Sequence, residues 1–329
     1  MMRMTVLASG SKGNSTVISS SRTQVLVDAG LSCRELLKRM ALAGEDPAKL
    51  DAILITHEHQ DHVAGLSVLA RRLQIPVFFT EPTHRAWVRM LTPRTTMSYT
   101  KWLDHVQQEK EARAAAVAGV CIEAELSGRS DDPRLDVAVD LDEEDLCNSY
   151  AEEPAAKKPD PTFLPAVEYF QSGMRFSIGD IDITPFTIPH DAADPCGFVF
   201  EAEGIRMALA TDLGYMPHNV KAALKRIDVM LLESNHDLEM LRDGPYPWSV
   251  KQRVLSRVGH LSNHATAEFL AKDYDGGSSW IVLGHLSESN NVPELARFAA
   301  EQALGNHPTL LGNRLVLAHQ ATPLDPITL

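Results

Sequence analysis

No stretch of the 329-residue chain is apolar for the roughly 18 residues that a membrane-spanning helix needs. Its start, MMRMTVLASGSKGNS, lacks the long apolar core and small-residue cleavage site of a secretory leader, so a cytoplasmic protein is expected. Cysteine is scarce: Cys33, Cys121, Cys147 and Cys196 form no CxxC pair, and scattered reduced thiols are expected instead. There is no repeat of fixed period. Positive charge is also short, with 31 Lys and Arg against 44 Asp and Glu for a net charge of −13. That deficit is local. Residues 107–165 hold 15 acidic and 6 basic side chains, so −9 falls there and only −4 on the remainder. An anionic substrate is therefore open to the rest of the chain.

The same segment, 107–165, has little periodic hydrophobicity, several acidic clusters and five prolines. It reads as a mobile, disordered insertion in one domain that otherwise spans 1–329, with room for a short helix over 109–118. Outside it, strand and helix signals alternate. MTVLAS (4–9) and TQVLVDAG (23–30) are strand-length apolar runs bracketing a Gly- and Ser-rich turn. Helical spacing follows at 33–44 and 62–73, with strands at DAILIT (51–56) and PVFFT (76–80). After the insertion, VEYF, MRFSIG and IDITPFTIPH suggest antiparallel strands. CGFVFEAEGIRMALATD reads as a hairpin turning at Glu203–Gly204, and DVMLLES, WIVLGH and RLVLA are further strands. The pattern predicts an α/β protein with two mixed sheets and helices between strands.

The stretch THEHQDH (56–62) follows the apolar run DAILIT. In an extended chain His57 and His59 point the same way, and Asp61 and His62 open the next helix over the same point. Four nitrogen and oxygen ligands so close together would crowd one ion but suit two, such as the pairs about 3.5–4 Å apart in two-metal hydrolytic sites. Three residues at strand ends are candidates to complete the shells: His190 after IDITPFTIP, Asp212 after IRMALAT and His285 after SWIVLG.

These residues, with VDAG at 27–30, resemble the metallo-β-lactamase superfamily, whose fold is an αββα four-layer sandwich with a dinuclear site between two mixed sheets. ASGSKGNS, LVDAGLS, IPHDAADPCGF, ATDLGY, LLESNHD, YPW, GHLSNHA and GHLSESNN further resemble its WalJ/YycJ group, regarded as exonuclease- or phosphodiesterase-like. The resemblance implies His57, His59 and His190 on one metal, Asp61, His62 and His285 on the other, and Asp212 bridging both. It makes Asp28 a support for the ligand turn. Glu233 in LLESNHD and His260 in GHLSN are similar to a glutamate–histidine dyad of the ribonuclease Z branch that assists phosphodiester cleavage. His59 stands where flavodiiron-type relatives carry glutamate, so redox chemistry is not expected.

With only nitrogen and oxygen donors, the implied ions are Zn²⁺, Mn²⁺ or Fe²⁺. Water between two cations is acidified toward a pKa of about 7, which makes a bridging hydroxide the expected nucleophile on a nucleic acid or another phosphodiester. Lys12 in GSKGNS and Lys251, Arg253 and Arg257 in SVKQRVLSRVGH are candidate phosphate contacts, Arg253 and Arg257 lying four apart as on one helix face. A thioester or lactone hydrolase and a non-catalytic regulatory metalloprotein remain as alternatives. The sequence does not fix an oligomeric state.

Overall fold

The computed structural model describes residues 1–92, 160–305 and 314–329, together with some helical positions between 100 and 111. The chain divides into two compact units, Met1–Thr92 with Asp160–Leu329, and Pro93–Pro159. All that follows concerns the first.

Two seven-stranded sheets form its middle. The first comprises β1 (Arg3–Ala8), β2 (Ser15–Ser19), β3 (Gln24–Val27), β4 (Ala52–Leu54), β5 (Val77–Phe79) and β6 (Val167–Tyr169), with the short β14 (Ile327–Thr328) on the free edge of β1. The second runs in spatial order β13 (Arg314–Leu317), β12 (Trp280–Gly284), β11 (Val229–Glu233), β10 (Ile205–Ala210), β9 (Cys196–Ala202), β8 (Ile181–Thr187) and β7 (Phe176–Ile178). Both are mixed. The β14–β1–β2–β3 strands and the β7–β8–β9–β10 meander are antiparallel, and the neighbours β3–β4–β5–β6 and β10–β11–β12–β13 are parallel.

Side-chain alternation explains the layering. Met4 and Val6 of β1, Val25 and Val27 of β3, and Ala52 and Leu54 of β4 share a buried cluster with Phe198, Phe200, Met207, Leu209 and Leu231 of the second sheet. Their strand neighbours face outward. Leu7, Leu26 and Ile53 pack under Leu36, Met40, Leu66 and Leu69, from the helices Cys33–Leu42 and Leu66–Leu73. Ala208, Met230, Leu232, Ile281 and Leu283 do the same under Phe269, Leu270, Ala296 and Ala300, from the helices Asn263–Lys272 and Pro293–Leu304. Strands apolar on both faces are what a helix–sheet–sheet–helix sandwich requires, and the expected four layers are present.

Several local expectations are corrected. The Gly- and Ser-rich stretch after β1 contains a whole strand, β2, whose run STVIS was hidden by flanking small residues. VEYF joins β5 in parallel in the first sheet and does not belong with the antiparallel strands after it. The expected helix at 62–73 is two helices, Gln60–Val63 and Leu66–Leu73, separated where Gly65 passes so close to Leu31 that a Cβ would lie 2.1 Å from its carbonyl oxygen. The insertion expected over 107–165 ends earlier, because Leu164 is buried in the core and Arg71 Nη1 donates to Asp160 O. Its remaining length, Cys121, Cys147 and most of the expected 109–118 helix lie outside the described residues. Cys33 and Cys196 are buried free thiols. Among the described residues no helix is long and apolar enough to cross a membrane.

Candidate metal centre and adjoining dyad

Every candidate ligand follows the carboxyl end of a strand: His57, His59, Asp61 and His62 after β4, His190 after β8, Asp212 after β10 and His285 after β12. Strand ends alone would scatter these side chains. Two of them gain their aim from the left-handed region, with φ of 62° at Asp212 and 56° at His285, and the supporting Asp28 shares it at 60°. Such backbone is uncommon for non-glycine residues and persists where the surroundings hold it. A glycine brings the VDAG turn against the ligand turn: a Cβ on Gly30 would lie 1.7 Å from Asp61 O. Leading off that contact, Asn14 N donates to Asp61 O at 2.7 Å.

Two triads result. His59 Nδ1 lies 3.1 Å from His57 Nε2 and 3.2 Å from His190 Nε2. In the second, Asp61 Oδ2 is 3.6 Å from His62 Nε2 and 3.7 Å from His285 Nε2. Metal–nitrogen bonds of about 2.1 Å at tetrahedral angles set ligand atoms roughly 3.3 Å apart, so both spacings fit a common ion. Asp212 stands between the triads, with Oδ2 3.4 Å from His62 Nε2 and Oδ1 3.9 Å from His190 Nε2. Asp212 Oδ2 and His285 Nε2 are buried without a hydrogen-bond partner. Buried donors and acceptors are rarely left unpaired, so two such orphans among the candidate ligands fit a bound cation.

The outer nitrogens are all held. His62 Nδ1 meets Asp28 Oδ2 at 2.8 Å, and Thr56 ties the same carboxylate through its N–H and hydroxyl at 2.9–3.1 Å. His57 Nδ1 meets Thr56 Oγ1 at 3.0 Å. His190 Nδ1 faces the Gly259 carbonyl at 3.1 Å, and His59 Nε2 the Asp191 carbonyl at 3.2 Å. Such partners fix the tautomer and raise ligand basicity. His285 Nδ1 faces Glu233 Oε1 at 3.0 Å, and His260 Nδ1 faces that same oxygen at 2.8 Å. Glu233 is fully buried, and its other oxygen accepts from Leu213 N at 2.5 Å. Asp212, Glu233, His260 and His285 also cluster tightly enough for an ion. There, however, Glu233 meets outer nitrogens and is already fully bonded, so orienting two imidazoles is its better-supported role.

The charges balance through protons in the metal-free protein. Burial opposes a charge on His62, but Asp28, Asp212 and Asp61 outweigh it and hold its pKa at about 9. Burial likewise opposes charge on His285, yet Asp212, Asp61 and Glu233 raise it well above the usual value. His57 is pushed far down by burial and by its imidazole neighbours. Against burial, His62 and His285 lower the carboxyls of Asp61 and Asp212, and His260 and His285 lower that of Glu233. An acidic hollow that must keep two imidazoles protonated is well matched to divalent cations.

The candidate phosphate contacts separate. Arg253 reaches the rim of the histidine cluster, its Nε 2.5 Å from Asp191 Oδ2. Arg257 stacks over the Tyr215 ring at 4.3 Å. The helix Trp248–Val254 ends before Arg257, so the two arginines do not share a helix face. Lys251 is only 8% exposed and donates to the Arg242 carbonyl at 2.6 Å, which takes it out of reach of a substrate. Lys12 pairs with Glu288 at 2.5 Å. The GSKGNS turn is no anion nest. The N–H groups of Gly10, Lys12, Gly13 and Asn14 already donate to Asn14 Oδ1, Gln320 Oε1, Gly10 O and Asp61 O.

Sequence reasoning missed Thr56, Asn14 and Asp191. Asn14 Nδ2 lies 3.0 Å from His62 Nε2 and 3.3 Å from Asp61 Oδ2. Thr56 was legible as the residue between a buried strand and the first histidine, where a hydroxyl has imidazoles and a carboxylate to serve. Nothing local marks Asn14, whose contacts are 47 and 48 residues away.

A fold of this kind with seven histidine and aspartate side chains gathered after strand ends defines a class. The sequence profile of the metallo-beta-lactamase superfamily matches residues 8–248, and the chain belongs to that superfamily. It is 32% identical over 294 residues to the exodeoxyribonuclease WalJ of Streptococcus pneumoniae, covering 89% of this chain and 85% of that one. It is 32% identical over 306 residues to the exodeoxyribonuclease YycJ of Bacillus anthracis, covering 92% and 89%. Among solved structures, the metallo-beta-lactamase fold protein YhfI from Bacillus subtilis superimposes with a TM-score of 0.59 over 98% of both chains at 15% identity. Membership makes the chain a metal-dependent hydrolase.

Proposed function

We propose that the protein is a cytoplasmic phosphodiesterase of the exodeoxyribonuclease type, acting on nucleic acid with two divalent ions, zinc being the first choice and manganese or iron alternatives. The observation that carries the reading is the Glu233–His260 pair beside the two triads. The pair can protonate an alkoxide leaving group such as a phosphodiester expels, and the likeness over most of the chain to two exodeoxyribonucleases favours that substrate over a lactone or thioester. His57, His59 and His190 would hold one ion, Asp61, His62 and His285 the other, with Asp212 shared. Bound there, the ions supply Lewis acidity toward a phosphate oxygen and lower the pKa of water from 15.7 toward about 7.

The chain's own residues do the rest. His260 Nδ1 is fixed on Glu233, which leaves Nε2 as the nitrogen through which a proton would pass to the leaving oxygen. The carboxylate fixes the orientation of the ring. General acid assistance of this sort is worth about 10²–10⁴-fold. Asp28 and Thr56 hold the ligand turn in register while charge develops on the phosphoryl oxygens.

The test uses labelled single- and double-stranded DNA with the 5′ or 3′ end blocked, and metal-loaded protein. Stepwise release of mononucleotides from one end is expected. Intact DNA under every metal, with thioester or lactone turnover instead, would remove the phosphodiester reading.

A further inference from the structure

The chain between Trp248 and His260 wraps the outer side of the three-histidine triad. Its helix ends in a tight turn, where Gly259 N donates to Ser256 O and His260 N to Val254 O, both at 3.0 Å. A Cβ on Gly259 would lie 2.2 Å from the Val254 carbonyl, so the turn rests directly on the helix end. From this turn Gly259 O faces His190, and Val258 O accepts the Asp191 N–H at 3.1 Å. Arg253, in the last helical turn, closes the arrangement through Nε on Asp191 Oδ2. The other oxygen of Asp191 is 3.5 Å from His190 Nε2, so the ion pair stands at the lip of the cleft.

The pair is unevenly used. Arg253 is 62% exposed and engages one N–H; its Nη1 and Nη2 make no hydrogen bond among the described residues. An aspartate fastened to Nε alone leaves the planar end of the guanidinium free, and that fork matches two oxygens of a phosphate. The Asp191 carboxylate, and after it that of Asp61 in the second triad, holds the guanidinium pKa up. No other basic side chain singled out around the site is so placed: Lys12, Lys251 and Arg257 are each engaged elsewhere.

We propose that Arg253 grips a substrate phosphate at the edge of the metal cleft, and that Asp191 is a positioning residue holding Nε so that the Nη pair is presented in advance. The inference rests on the phosphodiester reading and adds the residue that selects for it. Because the ion pair is exposed, its loss should change binding far more than folding.

The test is binding of labelled, cleavage-resistant phosphorothioate single-stranded DNA to metal-loaded protein, followed by fluorescence anisotropy. Arg253→Ala should weaken binding roughly tenfold or more, the scale of a charge-assisted hydrogen bond, and lower the slope of log affinity against log salt by about 0.7. Arg253→Lys should restore the slope but not the affinity, since an ammonium lacks the fork. Asp191→Asn should weaken binding about three- to fivefold in the wild-type background and not at all in Arg253→Ala. An Arg253→Ala variant that binds within about twofold of wild type at an unchanged slope would overturn the proposal. So would an Asp191→Asn effect of equal size in both backgrounds, or loss of metal from Arg253→Ala. If wild-type protein binds no oligonucleotide, the nucleic-acid reading fails separately. Arg253 is then judged by ³¹P NMR titration with inorganic phosphate: broadening that disappears in Arg253→Ala upholds the clamp, and broadening that persists overturns it.

Discussion

Glu233 Oε1 lies 2.8 Å from His260 Nδ1, and the same oxygen lies 3.0 Å from Nδ1 of His285. One carboxylate oxygen thus serves the proposed proton donor and a proposed metal ligand together. The two roles come apart on mutation. His260→Ala should keep its full metal content and lose at least about tenfold in turnover. Glu233→Gln should lose turnover and also weaken one metal, by about 10–100-fold as for other partners of ligating histidines. Metal analysis beside kcat on one oligonucleotide distinguishes these; unchanged turnover in His260→Ala would remove the dyad from the chemistry.

Asp212 lies beside ligands of both proposed triads, and its Oδ2 is a buried acceptor without a partner. Asp212→Ala should lose bound metal and activity together. Near-normal metal content in the purified variant would contradict the bridging role.

The pH response should reverse on metal loading. His62 has a folded pKa of about 9, above its ordinary 6.5, so its charged form stabilises the metal-free protein fully below pH 6.5. That contribution is lost as pH rises through about 9. Calorimetry with a chelator present should therefore show Tm falling between pH 6.5 and 9. Metal needs neutral imidazole, and His285 is raised too, so metal affinity should climb across the same window with protons released on binding. A metal-free Tm that rises over this range would contradict the charge balance described.

Gly30→Ala tests how the site is braced. Its Cβ would sit 1.7 Å from Asp61 O, against backbone that cannot rotate aside. A loss of about 1–3 kcal/mol in stability is expected, with weakened metal binding because Asp61 and His62 must shift. Wild-type Tm and metal affinity in the variant would show that the turn has slack.

Much of this was legible in the sequence, for identifiable reasons. The proposed ligands His57, His59, Asp61, His62, His190, Asp212 and His285 announce themselves because each follows an apolar strand and the first four fall within six residues. The sheets were legible where both faces of a strand are covered, as in β4, β11 and β12, which leaves unbroken apolar runs. Strand β2 was not, since STVIS is short and flanked by turn-forming residues. Parallel pairing of β6 with β5 depends on a connection of many residues, which local pattern cannot register. The basic candidates separate for another reason: Lys251 lies within the helix Trp248–Val254 and Arg257 just past it, and tertiary contacts with Arg242 and Tyr215 decide where their charges go.

The central claim is a phosphodiesterase built on two ions, and metal titration tests it most directly. Chelator-stripped protein receives zinc or manganese in sub-equivalent steps while nucleotide release from DNA and bound metal are measured on the same samples. Activity should rise to a plateau at two equivalents per chain. A plateau at one equivalent, or nucleotide release that ignores the metal added, would contradict it.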